Sequence, residues 1–319
     1  MSRPSVLVTR RLPGSAVTRL DTVADVHMHD GEQGLTREQL HERLRGKAGL
    51  VVLLGDRIDK DAIDAGEALR VVANVAVGYD NLDVAYAVSK GIAVTNTPDV
   101  LTDATADMTW ALILAVTRRL GEGERIVRGG RWRGWAFDFM LGSSLAGKQL
   151  GIVGGGRIGR AVAARAGAFG MHVAVHSRRG VDWPDATAMG LDQLLATSDI
   201  VSLHVPLTPE TRHLIDQKAL ARMKRTAYLV NTARGPVVDE AALAWALRER
   251  LIAGAGLDVF EHEPRVHEDL LSFEQAVLTP HLGSATRETR LAMADLAVRN
   301  VIAVLQGEPP LTPIPIRAQ

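Results

Sequence analysis

Short β-branched and apolar runs alternate with amphipathic helical stretches along most of the chain, and few folds accommodate that alternation. Parallel strands need a crossover between them, so the pattern reads as βαβ units wound around parallel sheets. The runs SVLVT (5–9), ADVHM (24–28), GLVVLL (49–54), RVVANV (70–75) and IAVTNT (92–97) form a first series of strands. Between two of them a helix opens at Thr36 with Gln39 three residues on, a capping box in which each side chain satisfies an orphan backbone donor. A long apolar-periodic stretch, about Thr102–Leu120, leads into the Gly-rich, aromatic GEGERIVRGGRWRGWAFDFMLGSSLAGKQ, expected to be irregular and to carry the chain between domains. A second series follows: LGIVG (150–154), HVAVH (172–176), IVSLH (200–204), AYLVN (227–231), AGLDV (255–259) and AVLTP (276–280). Several of these are continuously apolar, as suits strands covered on both faces. A last helix is expected over about Arg287–Leu305, and the Pro-rich GEPPLTPIPIRAQ after it should be extended and irregular.

At 319 residues the chain exceeds the usual size of one hydrophobic core, so two domains are expected. Lys plus Arg and Asp plus Glu both number 37, which argues against bulk attraction to nucleic acid or an anionic membrane and makes any cationic site local. There is no cysteine, which excludes disulfides, thiolate metal sites and cysteine nucleophiles; no metal site is expected. The apolar runs at the N-terminus and in MTWALILAV are too short for a signal peptide or a membrane span, so a cytoplasmic protein is expected.

Gly154-x-Gly156-x-x-Gly159 stands directly after a strand and opens an Ala-rich helix. In that context glycines let the backbone turn and approach a pyrophosphate, while the helix N-terminus offers unpaired N–H groups to the anion. Such a fingerprint ordinarily carries an Asp or Glu about 20 residues on, to grip the adenosine ribose. Here the second strand ends in His176, Ser177, Arg178 and Arg179. An acid would repel a ribose 2′-phosphate, whereas a hydroxyl and guanidinium groups donate hydrogen bonds to one, so NADP(H) is expected over NAD(H).

Ligands of doubly wound sheets bind at the carboxyl ends of the strands. Three stretches place polar residues there: Arg234 in YLVNTARGPVVDE, Asp258 and Glu263 in GLDVFEHEP, and His281 in VLTPHLGSAT. Reduction of a carbonyl by a nicotinamide needs an acid to protonate the nascent alkoxide and an anchor for the substrate. A histidine with a carboxylate partner and one arginine meets that need, and the substrate implied is a 2-oxo acid.

The chain resembles the D-isomer-specific 2-hydroxyacid dehydrogenases, most closely the glyoxylate/hydroxypyruvate reductase branch. VGYDNLDV, GIAVTNTPDVLTDATAD, GIVGGGRIGR, HVPLTPETRHLI, NTARGPVVDE, GLDVFEHEP and TPHLGSAT look like family blocks in family order. The resemblance implies that Arg234 binds the substrate carboxylate, that His281 is the proton donor and Glu263 its partner, and that Asp258 holds the nicotinamide carboxamide. It gives Gly154, Gly156, Arg157, Ile158 and Gly159 to the pyrophosphate turn, puts Val205, Pro206 and Thr211 near the adenine, and Ala233 near the nicotinamide ribose. The backbone around Val77 and Gly78 would assist with the substrate carboxylate, and Leu54 would line the pocket. It further implies two Rossmann-like parallel-sheet α/β domains with a cleft between them. One is a flavodoxin-like substrate domain (1–100 and 286–319) and the other a dinucleotide-binding domain (101–285), joined by two hinge helices that close over the substrate. Trp132 and Trp135 either anchor their loop or, as in similar reductases, send Trp135 into the active site of a partner subunit, which requires a homodimer. Formate dehydrogenase would place Gln at Glu263, 2-ketogluconate reductase shares the same machinery, and a dinucleotide-sensing corepressor uses the same fold but is less expected, since no long disordered or basic stretch stands in this sequence.

Overall fold

The computed structural model of the chain describes residues 3–31 and 33–315; the final residues of the Pro-rich end, 316–319, lie outside them. The chain divides into two compact units, Met1–Leu101 with Thr286–Gln319, and Thr102–Ala285.

The first unit runs β1 (Ser5–Val8), α1 (Gly14–Leu20), β2 (Asp25–Met28), α2 (Arg37–Leu44), β3 (Gly49–Val52), α3 (Lys60–Ala65), β4 (Val71–Asn74), α4 (Val84–Ser89) and β5 (Ala93–Thr95), and the last helix, Arg287–Leu305, returns to it. The five strands are parallel in the order β2-β1-β3-β4-β5. That is the flavodoxin-like order, with its switch point between β1 and β3. Strands β3 and β4 are buried along their whole length, as suits their largely apolar sequence, with Asn74 at the end of β4 the polar exception. Leu7, Leu50, Val52 and Val72 pack with Leu40, Leu44 and Ile63 of α2 and α3 on one face. The last helix covers β3 and β4 with Met293, Ala297, Val298 and Val301, all buried, and lies beside α1. The Thr36 capping box is present in both directions at the start of α2. Past the last helix, Ile314 is buried and its N–H donates to Val94 O in the middle of β5.

The second unit runs α5 (Thr102–Thr117), α6 (Leu120–Arg128), β6 (Gln149–Val153), α7 (Arg157–Ala166), β7 (His172–His176), β8 (Ala186–Ala188), α8 (Leu191–Thr197), β9 (Ile200–Leu203), α9 (Gln217–Arg222), β10 (Tyr228–Asn231), α10 (Glu240–Arg248), β11 (Gly254–Leu257), α11 (Glu268–Ser272) and β12 (Ala276–Leu278). Its sheet is parallel in the order β12-β11-β10-β9-β6-β7-β8. The order reverses between β6 and β9, so the Gly154 turn stands at the switch point. The chain enters this unit earlier than the Gly-rich stretch suggests. Helix α5 already packs Leu112, Ile113 and Trp110 into the second core, where Trp110 stacks on Phe169 at 4.3 Å and its indole N–H donates to Val162 O. The passage between units therefore precedes Thr102. Part of the stretch expected to be irregular is helical: α6 forms despite Gly121 and Gly123, set off from α5 by Arg119 in the left-handed region (φ 54°) and pinned by the Arg119–Glu122 pair at 2.8 Å. None of its residues is buried. Among the described residues no helix is long and apolar enough to cross a membrane.

Candidate active site

Strand β6, the turn and α7 form the dinucleotide end. Gly154 has φ +115°, and a Cβ there would stand 2.5 Å from His204 O; only glycine lets the loops after β6 and β9 approach so closely. Gly156 is the N-cap of α7 without a side-chain cap, and a Cβ on it would meet nothing within 4 Å. Space beside the N-cap of this ten-residue helix is therefore open, as the approach of a pyrophosphate requires. Arg157 and Ile158 are the first residues of that helix, and Gly159, buried, follows them. Strand β7 ends at His176 with no acid after it, and Ser177 to Gly180 form a turn closed by Gly180 N–H to Ser177 O at 3.1 Å. Arg178 and Arg179 are exposed on that turn. A Cβ on Gly155 would fall 2.9 Å from Ser177 Oγ, so the serine lies hard against the glycine turn. These features fit a dinucleotide. Val205 and Pro206 follow β9; the Thr211 hydroxyl is engaged inside the same loop, donating to Pro206 O at 2.7 Å and accepting from Thr208 N–H at 2.8 Å.

The polar residues after β10, β11 and β12 form the other end of the site. His281 Nδ1 lies 2.9 Å from Glu263 Oε2, and Glu263 Oε1 accepts from Phe260 N–H at 3.1 Å. Burial alone would raise the Glu263 carboxyl, but the hydrogen bond and charge of His281, the Phe260 N–H and the charge of Arg234 together hold it below the usual carboxylate value. With Nδ1 engaged, Nε2 is the nitrogen left for a substrate. His281 sits in the left-handed region (φ 54°), held there by its N–H donating to Asp258 O at 2.8 Å and Thr279 O at 3.0 Å. Asp258 is almost fully buried and accepts from Thr279 Oγ1, Leu282 N–H and Gly283 N–H, each at 2.7 Å. Its carboxylate therefore shapes the loop that carries His281, with Oδ2 taking one of the three bonds. Arg234 stands next to Gly235, whose Cβ would lie 1.9 Å from Phe260 C and O. That absent methyl is what lets the arginine loop rest directly on the backbone that anchors Glu263.

Two buried features escaped the sequence reading. His204, after β9, bonds Ser202 Oγ through Nε2 at 2.9 Å, and burial pushes its imidazole down to about 3, so it is neutral at ordinary pH. Glu240, at the start of α10, accepts from Glu261 N–H at 2.6 Å and His267 N–H at 3.2 Å, gripping both ends of the loop on which Glu263 stands. A glutamate in an otherwise apolar helical face was the only available signal for the second. In the first unit, Leu54 follows β3 and Val77 and Gly78 follow β4, all three partly buried at the carboxyl ends of their strands. Trp132 and Trp135 are 57% and 83% exposed, so within this chain neither anchors its loop by burial.

Residues 110–283 match the family model described as D-isomer specific 2-hydroxyacid dehydrogenase, NAD binding domain. A glyoxylate reductase of Thermococcus onnurineus is 49% identical over 318 residues, covering 97% of this chain and 95% of the relative. The chain belongs to the D-isomer-specific 2-hydroxyacid dehydrogenase family. Among solved structures, a protein of Thermus thermophilus matches this dehydrogenase with a TM-score of 0.93 at 48% identity, over 98% of this chain and 100% of that one. An NADPH-dependent glyoxylate/hydroxypyruvate reductase of Sinorhizobium meliloti, solved with NADP and malonate, matches with a TM-score of 0.88 at 38% identity, over 98% and 97%. The family's NAD binding domain thus coincides with the second unit of this dehydrogenase, the unit that carries the glycine turn after β6.

Proposed function

We propose that the dehydrogenase reduces small 2-oxo acids, glyoxylate and hydroxypyruvate, to the D-2-hydroxy acids glycolate and D-glycerate, using NADPH in the cytoplasm. The observation that carries this reading is the 2.9 Å pairing of His281 Nδ1 with Glu263 beside Arg234. When bound, the reduced nicotinamide supplies the hydride. Protonated His281 holds the proton at Nε2 and delivers it to the carbonyl oxygen as that oxygen becomes an alkoxide. Glu263 fixes the ring and balances the imidazolium charge. In the second unit Arg234 clamps the substrate carboxylate. In the first unit the backbone of Val77 and Gly78 serves as a carboxylate site, and Leu54 is an apolar lining residue. Asp258 receives the nicotinamide carboxamide and Ala233 lies by its ribose, while Val205, Pro206 and Thr211 serve the adenine end.

Preference for NADPH is supported by the missing acid after β7, by Ser177 against the glycine turn and by the exposed Arg178 and Arg179. The NADPH dependence of the Sinorhizobium meliloti relative agrees with it. A homodimer is supported by the unburied apolar side chains clustered in one stretch: Leu120, Val127, Trp132, Trp135, Phe137 and Leu141. In that dimer Trp135 reaches the partner's active site. The test is a matrix of glyoxylate, hydroxypyruvate, pyruvate and 2-ketogluconate against NADPH and NADH, read as nicotinamide oxidation. Turnover of glyoxylate and hydroxypyruvate with NADPH is expected. No turnover with any 2-oxo acid would refute the enzyme, and a preference for 2-ketogluconate would move the assignment to that reductase.

A further inference from the structure

The loop after β4 begins on two backbone bonds, Val75 N–H to Val52 O and Thr97 N–H to Ala76 O, both at 2.8 Å, and beyond them it is held by side-chain amides. Asn96 Nδ2 donates to Val77 O at 2.8 Å, and Asn74 Nδ2 donates to Gly78 O at 2.9 Å. Asn74 is fully buried in the last position of β4 and spends its second N–H on Asn81 Oδ1 at 3.1 Å. Asn81 in turn donates to Leu53 O at 3.2 Å and Asp56 O at 3.0 Å, tying the loop after β3 to the same cluster. Behind Asn96, Thr312 Oγ1 donates to Asn96 O at 2.7 Å and accepts from Asn300 Nδ2 of the last helix at 2.8 Å. A buried amide is costly unless its bonds are made, and Asn74 makes both of its N–H bonds, while its Oδ1 has no partner among the described residues.

In a planar trans peptide the C=O of one residue and the N–H of the next point in opposite directions. Drawing Val77 O toward Asn96 therefore turns Gly78 N–H the opposite way, and drawing Gly78 O toward Asn74 does the same to Tyr79 N–H. Among the described residues of this unit neither N–H donates a hydrogen bond. We infer that Asn96 and Asn74 are positioning residues, which set the two peptide planes after β4 so that consecutive backbone N–H groups are presented, unspent, to the carboxylate of the substrate. Asn81 and Thr312 hold the two amides in register. The inference rests on the reading of the Val77–Gly78 loop as a carboxylate site, and extends it from the donors to the side chains that aim them. A purely structural clamp would tolerate any aim; this one matters to a single part of the substrate.

The test uses Asn96→Ala and the isosteric Asn96→Asp, both of which remove the donor to Val77 O. Three readouts are taken: the Kd of oxamate, an unreactive 2-oxo-acid analogue, on the NADPH-loaded enzyme; the ratio of kcat/KM for glyoxylate over glycolaldehyde, which lacks the carboxylate; and the Kd of NADPH. Expected are a rise of about tenfold in oxamate Kd and glyoxylate KM, a matching fall in the glyoxylate-to-glycolaldehyde ratio, and an unchanged NADPH Kd. An unchanged oxamate Kd, an equal loss for both aldehydes, or failure of both variants to fold would overturn the inference and leave Asn96 a structural residue. Wild-type enzyme that neither reduces glyoxylate nor binds oxamate would instead sink the functional reading itself, and the inference with it.

Discussion

Replacing Gly235 by alanine perturbs the site without touching any group that reacts. The new Cβ would stand 1.9 Å from Phe260 C and O and 2.4 Å from Glu261 N, where ordinary contact begins at 3.4 Å, leaving a shortfall of about 1.5 Å. Both walls are backbone, so no side-chain rotation relieves it; either the arginine loop or the Phe260 loop must move. Phe260 N–H is one of the two anchors of Glu263, and Glu263 in turn holds His281 at 2.9 Å. A misplacement of about 1 Å in such a constellation costs roughly 10²-fold in rate, and overpacking costs about 1–3 kcal/mol of stability. In a chain of this size that is a Tm lowered by several degrees, on the order of 2–4 °C per kcal/mol. The expected result for Gly235→Ala is therefore kcat/KM for glyoxylate down about 10²-fold, a modest fall in Tm by calorimetry, and NADPH affinity nearly preserved, because the glycine turn after β6 is untouched. Near-wild-type kcat/KM would refute the contact between the loops as a determinant of catalysis. Parallel collapse of activity, NADPH binding and Tm would show a folding defect instead.

His281→Asn, which tolerates the left-handed backbone at that position, should lower kcat by about 10²–10⁴-fold with NADPH binding intact; equal loss of both would mean the histidine is structural. In Glu263→Gln the carboxylate that fixes the His281 ring becomes a neutral amide, so kcat should fall with NADPH affinity intact, and an unchanged kcat would dissolve the pair. Arg178→Ala should raise the KM for NADPH far more than that for NADH, whereas a common rise would make the arginines a solvated turn. Burial takes His204 from 6.5 to about 3, so between those values the unfolded chain binds the proton that the folded one refuses. Its contribution is intact above about 6.5 and is lost as pH falls, by at most about 1.4 kcal/mol per pH unit, and His204→Gln should flatten that part of a urea stability profile.

Sequence patterns reached some elements and not others for identifiable reasons. Strands β3, β4, β6 and β9 are largely apolar runs, broken only by Asn74, Gln149 and Ser202, and a parallel sheet covered on both faces is built from such runs. Strand β8, Ala186–Ala188, is a three-residue edge strand of small side chains and carries no such signature. Helix α6 was obscured by Gly121 and Gly123, each costing about 1 kcal/mol in propensity, and by a solvent-exposed surface with no buried stripe. The positions of Gly154 after β6 and His281 after β12 were legible because each follows closely on the end of an apolar strand. Asn74, Asn96 and Glu240 were not, since they act on backbone atoms several residues away, and only folded coordinates show which carbonyl or N–H each one meets.

The first unit is interrupted in the chain: its five strands and α1–α4 lie before Thr102, while the helix that covers β3 and β4 begins only at Arg287. On a ribosome the second unit emerges as one continuous stretch and holds everything its sheet needs. The first sheet, though made earlier, waits with Val51, Val71 and Ala73 uncovered until Met293, Val298 and Val301 leave the exit tunnel. The cover of the first sheet is thus synthesised after the whole second unit, and the bond from Thr312 to Asn96 O joins residues made far apart in time.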